Sequence, residues 1–137
     1  MKTKPQNNAK NNIIIGLSVL AVSLIAMFSF TGATASGGLV GASEFMAKYQ
    51  ATPGAVLVDV RTPAEFEAGH IKGAINIDFE NSNFEQEIQK LDTSKTYFIY
   101  CRSGNRSGQA SGVMKRNNLQ NVYDLQGGVS KNPQLLN

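Results

Sequence analysis

The amino-acid sequence predicts an α/β domain with a mostly parallel central sheet flanked by helices. Apolar, β-branched runs that suit buried strands alternate with helical patterns from about residue 43 to residue 123. Helix-start signals stand between several of these runs. Such alternation is typical of parallel sheets, because a helix must return the chain between strands. A chain of 137 residues allows one domain of this kind.

The first half of the domain contains two strands and two helices. We expect a linker at Ser36–Gly38, followed by a helix over Ser43–Gln50 that is capped by its serine. The run Ala55–Val60 predicts a strand buried on both faces. The segment Thr62–Gly69 opens with a capping threonine, a proline and a glutamate, which predicts a short helix. Ile75–Ile77 then predicts a short strand.

The second half repeats the alternation. Ser82–Glu85 has the pattern of a second capping box and predicts a helix, and Thr96–Tyr100 predicts a strand. A helix is expected over Ser107–Asn117, a short strand at Val122–Tyr123 and a turn at Gly127–Gly128. By their helical spacing, the side chains expected to face the core from the three long helices are Phe45, Met46, Tyr49, Phe84, Ile88, Leu91, Ala110, Val113 and Met114.

The positive charge of the chain is confined to its start. The sequence has 13 basic and 10 acidic residues, and Lys2, Lys4 and Lys10 are the only charged residues before the domain. Ten residues of each sign therefore remain from Ser36 onward. Nucleic-acid binding would require a basic patch on the domain itself, and the composition gives no sign of one.

The N-terminal residues have the pattern of a secretory signal peptide, which we expect to comprise residues 1–35. A basic region over residues 1–12 precedes the uncharged run Ile13–Phe30, and Ala33–Ala35 has the form of a cleavage site. The domain is then expected to comprise residues 36–137 in the periplasm. An uncleaved anchor in the inner membrane is the alternative, since 18 apolar residues are at the lower limit for a membrane span.

Cys101 is the only cysteine, so it cannot form an intramolecular disulfide. It follows a predicted strand and precedes a predicted helix, and the carboxyl ends of parallel strands are where sites form. The most frequent role of a free cysteine is that of a small buried apolar residue. The loop around Cys101 favours a catalytic role instead.

The loop after Cys101 has the composition of an anion-binding site. Glycine and small polar residues allow successive backbone N–H groups to converge on one point. Two arginines and the N-terminus of the next helix add positive charge, which favours the thiolate form of the cysteine. The candidate anion-binding residues are Arg102, Ser103, Gly104, Asn105 and Arg106.

Four stretches of the chain resemble the rhodanese family in order and spacing. They are Leu57–Phe66, Gly69–Ile77, Cys101–Arg106 and Leu125–Val129. With an export signal and one compact domain, the chain is similar to periplasmic single-domain thiosulfate sulfurtransferases of the phage-shock protein E kind. The resemblance implies a rhodanese-like domain in which Cys101 is the catalytic residue.

The resemblance also implies the reaction. Cys101 would take the outer sulfur of thiosulfate as a persulfide, release sulfite, and pass the sulfur to cyanide or to a thiol. Neither a metal nor an organic cofactor is implied. The expected partners are these small molecules alone, with no nucleic acid, with the membrane only through an uncleaved N-terminus, and with the protein as a monomer.

Three other functions fit the sequence less well than sulfur transfer does. Related phosphatases and arsenate reductases place five residues between the cysteine and the arginine, whereas four separate Cys101 from Arg106. A catalytically silent binding or sulfur-relay module in the cell envelope would not need the thiol. A redox or thiol-scavenging role is weakened by the lack of a second cysteine.

Several other residues are expected to have structural roles. A Cys–His pair would be a plausible catalytic unit, but the resemblance implies that His70 is structural. Asp59, Arg61 and Glu65 are expected to form an ion-paired corner at the turn from strand to helix. Many family members carry a tryptophan after the Gly-Gly turn, which this chain lacks. Pro133 permits little more than a short final helix.

Overall fold

Five parallel strands form one sheet in residues 37–137, which are the residues that the computed structural model describes. The order across the sheet is β1-β5-β4-β2-β3, and every neighbouring pair is parallel. The α/β class and the mostly parallel sheet are thus confirmed. The strands are β1 Gly38–Val40, β2 Val56–Asp59, β3 Ile75–Asn76, β4 Tyr97–Tyr100 and β5 Val122–Leu125.

Helices connect the strands and cover both faces of the sheet. In residues 37–137 no helix is long and apolar enough to cross a membrane. The predicted signal peptide and its cleavage site lie outside these residues. The helices are α1 Ala42–Ala51, α2 Pro63–Glu67, α3 Phe84–Gln89, α4 Asn105–Arg116 and α5 Gly128–Lys131, followed by a 3-10 turn at Pro133–Leu135.

The helix-start predictions were right at α2 and wrong at α1. At α2, Thr62 Oγ1 accepts the backbone N–H of Glu65 at 3.3 Å, and Glu65 Oε2 accepts the N–H of Thr62 at 3.1 Å. At α1, the cap is Gly41 and not Ser43. The N–H of Phe45 already bonds to the carbonyl of Gly41 at 2.8 Å, so the serine lies inside the first turn.

Three further boundaries differ from the sequence predictions. The cap of α3 is Asn83, without a side-chain hydrogen bond, so the capping box expected from Ser82 is absent there. Gly38 is not linker but opens β1, a three-residue edge strand that pairs only with β5. The expected turn at Gly127–Gly128 leads directly into α5.

The core consists of two apolar clusters, one on each face of the sheet. On one face, α3 and α4 pack against the sheet, for example through Ile88 and Met114. On the other, α1 and α5 contribute Phe45 and Val129. Phe98 of β4 stacks on Tyr123 with a centroid distance of 5.0 Å. All nine helical side chains expected to face the core lie in or against these clusters, which confirms that prediction.

A buried ion pair holds the carboxyl end of β2. Arg61 Nη2 donates to Asp59 Oδ2 and to the carbonyl of Gly69, both at 2.6 Å. Asn76 Nδ2 donates to the carbonyls of Asp59 and Arg61 at 2.9 and 2.8 Å. The predicted ion-paired corner is therefore correct for Asp59 and Arg61. It is wrong for Glu65, which pairs with a residue of α4 instead.

Removing one partner of this buried pair will destabilise the protein. The Asp59→Ala variant leaves Arg61, which is 5% exposed, without its counter-ion. We expect the free energy of unfolding to fall by about 3 kcal/mol in urea denaturation. The matched control is Glu44→Ala, which breaks the exposed Lys48–Glu44 pair and should change stability little. Equal losses in both variants would contradict this interpretation.

Candidate active site

Cys101 lies immediately after β4, at the carboxyl edge of the sheet, between the ends of β5 and β2. Its residue surface is fully buried, and its Sγ accepts the backbone N–H of Gly104 at 3.0 Å. At least one amide of the predicted loop therefore points at the sulfur. A reactant can reach Sγ only when neighbouring groups move aside.

Gly104 connects the loop to α4. Its φ of 99° lies in the region that favours glycine, and its carbonyl accepts the N–H of Gly108 at 3.0 Å. Helix α4 therefore begins at Asn105, two residues before Ser107, where the sequence predicts its start. The first N–H groups of a helix have no partner within the helix, so the earlier start brings these donors closer to Cys101.

The outer side of the loop is bonded to α5. The N–H of Val129 donates to the carbonyl of Cys101 at 3.0 Å, and the N–H of Ser130 donates to the carbonyl of Arg102 at 2.8 Å. In a trans peptide the C=O and N–H groups point in opposite directions. The N–H groups of Arg102 and Ser103 consequently point away from α5.

This contact requires glycine at position 128. A Cβ on Gly128 would lie 2.5 Å from the carbonyl oxygens of both Cys101 and Arg102, and its φ of 57° also disfavours other residues. At Gly104 a Cβ would lie 3.7 Å from the nitrogen of Gly127, so the two turns are in contact. The sequence predicts a turn here, but only the structure shows that this turn holds the loop. The adjacent glycines were the signal.

Arg106 is bonded to two carboxylates. Its Nη1 and Nη2 donate to Glu65 at 2.7 and 2.8 Å, and Nη1 also donates to Glu80 at 2.9 Å. The hydrogen bond from Arg106 is the main reason that the pKa of Glu65 is lowered to about 2. The guanidinium group thus links α4 to α2, and its charge is balanced by protein carboxylates.

Two other cations lie beside the loop without a carboxylate partner. Arg102 is exposed, and so is Lys131 at the end of α5. The aliphatic stem of Lys131 packs closely over Gly127. A Cβ at position 127 would lie only 2.5 Å from Lys131 Cδ. Within the described part of the chain neither residue forms a salt bridge. Arg102 is among the residues predicted from the sequence, whereas Lys131 is not, because only the fold brings it to the loop.

The remaining candidates are Ser103, Asn105 and His70. Ser103 and Asn105 are exposed, and Asn105 Oδ1 accepts a hydrogen bond from Gln109 within α4. His70 stacks on Phe66 at 3.8 Å, and its Nδ1 lies 2.9 Å from the carbonyl of Phe66. These contacts fix the corner after α2. None of the hydrogen bonds described for His70 reaches Cys101.

The arrangement is suited to holding an anionic sulfur atom. One amide contacts Sγ, further donors lie at the start of α4, and two unpaired cations flank the loop. Fixed donors of this kind stabilise negative charge without having to reorient during a reaction. No group of three or more His, Cys, Asp and Glu side chains in residues 37–137 is placed to hold a metal ion.

Solved structures share this architecture. The crystal structure of a rhodanese-related protein from Thermoplasma volcanium is 28% identical, with a TM-score of 0.60 over 69% of this chain and 89% of that protein. A protein from Staphylococcus saprophyticus is similar at 27% identity and a TM-score of 0.59, over 67% of this chain and 89% of that one.

Curated relatives include proteins with and without an assigned reaction. The uncharacterized protein YqhL of Bacillus subtilis is 41% identical over 88 residues, which are 64% of this chain and 66% of YqhL. The thiosulfate sulfurtransferase GlpE of Pseudomonas syringae is 36% identical over 55% of this chain and 69% of GlpE. The tRNA uridine(34) hydroxylase of Cytophaga hutchinsonii is 35% identical over 56% of this chain, but the match spans only 25% of the hydroxylase.

The family assignment rests on the whole domain rather than on one motif. Residues 42–132, from the start of α1 to just beyond α5, match the rhodanese-like domain. This range includes Cys101, its loop and the α5 contact that orients the loop. The chain therefore belongs to the rhodanese-like family, whose sulfurtransferase members are among its relatives.

Proposed function

We propose that this protein is a thiosulfate sulfurtransferase that carries sulfur as a persulfide on Cys101. The observation that carries the proposal is the short hydrogen bond from the N–H of Gly104 to Cys101 Sγ at the head of α4. A buried structural cysteine would not need a donor aimed at its sulfur. The similarity to GlpE, a thiosulfate sulfurtransferase, supports the same reaction.

The reaction proceeds in two balanced steps. In the first, the Cys101 thiolate attacks the outer sulfur of thiosulfate, the S–S bond breaks, and sulfite leaves with the bonding electron pair. In the second, cyanide or a thiolate attacks the outer sulfur of the persulfide and regenerates the Cys101 thiolate. The amide of Gly104 and the first-turn amides of α4 stabilise the negative charge in each state. No cofactor takes part.

The donor anion binds beside the loop through the two unpaired cations, Arg102 and Lys131. Because Arg106 is already bonded to Glu65 and Glu80, it acts by fixing the helix and the loop rather than by neutralising the donor. Ser103, Gly104 and Asn105 contribute backbone N–H groups. The domain needs no second copy for this chemistry, and we propose that it is a monomer.

The reaction takes place in the periplasm in this proposal. Residues 1–35 serve as the export signal, and residues 36–137 form the mature sulfurtransferase, as in the phage-shock protein E type. The basic start, the uncharged run Ile13–Phe30 and the small residues Ala33–Ala35 support this assignment.

The first test is thiocyanate production from thiosulfate and cyanide by the purified, reduced protein. We expect turnover in the wild type and none in Cys101→Ser, because the hydroxyl group cannot carry the sulfur. Intact mass spectrometry after incubation with thiosulfate alone should show the gain of one sulfur atom in the wild type only. An unchanged circular dichroism spectrum controls for folding of the variant. Absence of turnover in the reduced wild type would rule out thiosulfate as donor.

Removing either unpaired cation should weaken donor binding. In Arg102→Gln and Lys131→Gln we expect KM for thiosulfate to rise roughly three- to tenfold with little change in kcat, and the effect should shrink at high salt. Lys95→Gln is the matched control, since Lys95 is exposed at the opposite, amino end of β4. A similar rise in KM for Lys95→Gln would refute a specific role of the two cations.

Export can be tested by expressing the full chain in a bacterium. We expect the protein in the periplasmic fraction, with Ser36 as the first residue by N-terminal sequencing. Replacement of Ala35 by leucine should block cleavage and leave the protein membrane-bound, because the cleavage site requires small residues. Full-length wild-type protein in the cytosolic fraction would exclude the export proposal.

A further inference from the structure

Asp124 of β5 is a buried carboxyl group whose burial the fold alone does not explain. It is 5% exposed, and its Oδ1 is the only buried side-chain nitrogen or oxygen in residues 37–137 without a hydrogen-bond partner. Its neighbours in register on β4 and β1 are Ile99 and Leu39, which offer no polar side chain. A buried polar atom without a partner costs stability, so its presence points to another role.

The carboxyl group lies beneath the first turn of α4, next to Ser107. Its Oδ2 would lie 3.9 Å from a Cβ on Gly108, and the Ser107 hydroxyl interacts with the carboxyl group. Ser107 is fully buried, and its Oγ lies 3.3 Å from the carbonyl oxygen of Gly104, to which it donates. Gly104 in turn donates its N–H to Cys101 Sγ at 3.0 Å. A chain of contacts thus runs from Asp124 to the sulfur.

We propose that Asp124 is a positioning residue that adjusts the Cys101 loop through Ser107, an inference that rests on the proposed role of Cys101. A serine hydroxyl has one hydrogen, so it cannot fully serve both the Gly104 carbonyl and the Asp124 carboxylate. When Asp124 is ionised, it draws this hydrogen away from Gly104. The Gly104 turn is then held less firmly, and its N–H stabilises negative charge on Cys101 Sγ less well.

Asp124 changes its protonation state within a physiological pH range. Burial raises the pKa of Asp124 to about 6, and the Ser107 hydroxyl, the Leu125 amide and Lys115 only partly offset it. Lys115, also on α4, is the charged group that acts on the carboxyl group from the elements packed against it. Asp124 therefore passes from neutral to ionised between about pH 5 and pH 7.

Stability measurements cannot test this role. A carboxyl group whose pKa is higher in the folded than in the unfolded state makes folding less favourable as the pH rises through both values. The Asp124→Asn variant should therefore be more stable than the wild type above pH 6, whatever the residue does for Cys101. The reactivity of the sulfur is the required readout.

The test compares the rate of Cys101 alkylation by iodoacetamide in wild type and Asp124→Asn from pH 5 to pH 8. The reagent is uncharged, so the rate reports on the sulfur and not on donor binding. We expect a mutant-to-wild-type ratio near one at pH 5 that rises to roughly threefold between pH 6 and pH 8. Asp92→Asn is the matched control, because Asp92 is exposed before the amino end of β4, and its ratio should stay at one. A flat ratio for Asp124→Asn overturns the proposal.

A second pair of variants tests whether Asp124 acts on Cys101 through Ser107. In a Ser107→Ala background, Asp124→Asn should no longer change the pH dependence of alkylation, and an effect that persists at full size overturns the role of Ser107. If Asp124→Asn does not fold, Asp124→Ser provides a smaller uncharged replacement with the same expected ratio. Alkylation needs no sulfur donor, so this result is independent of thiosulfate turnover. A protein without turnover but with the rising ratio would support Asp124 and refute thiosulfate transfer.

Discussion

The hydrogen bonds between the Cys101 loop and α5 are the constraint on which the site depends. They fix the carbonyl groups of Cys101 and Arg102 toward the amides of Val129 and Ser130. The N–H groups of Arg102 and Ser103 therefore point away from α5, and the next amide of the loop, that of Gly104, donates to the sulfur. Because the loop follows β4 and α5 follows β5, which are neighbouring parallel strands, the sheet itself sets this distance. Glycine is the only residue type that allows so close an approach at position 128.

Charge in the domain is divided between structural and exposed groups. The buried Asp59–Arg61 pair closes the corner after β2, and the pairing of Arg106 with Glu65 ties α4 to α2. Both arginines are therefore bound to protein carboxylates. An anion that approaches the loop meets Arg102, a surface side chain with no salt bridge among the described residues. The proposed specificity for an anionic donor thus depends on where carboxylates are placed as much as on the number of arginines.

Local patterns were sufficient to predict most of the elements and the position of Cys101 between β4 and α4. The buried strands, the capping box at Thr62 and the inward faces of the helices all depend on residues that are close together in sequence. The predictions were wrong where tertiary contacts decide whether an element forms or where it begins. β1 is three residues long and exists because β5 offers it a partner, and α4 begins at Asn105 because Gly104 turns its amide back to the sulfur.

The sequence by itself determined the fold class, the alternation of elements and the single thiol with its glycine-containing loop, since each depends on residue type and short spacing. Only the tertiary structure decided which charges are neutralised and which donors converge. Arg106 and its partner Glu65 are 41 positions apart, and Asp124 comes to lie under α4 through the pairing of β5 with β4. Hydrogen bonds and ion pairs form only over a few ångströms, so spacing along the chain could not reveal them.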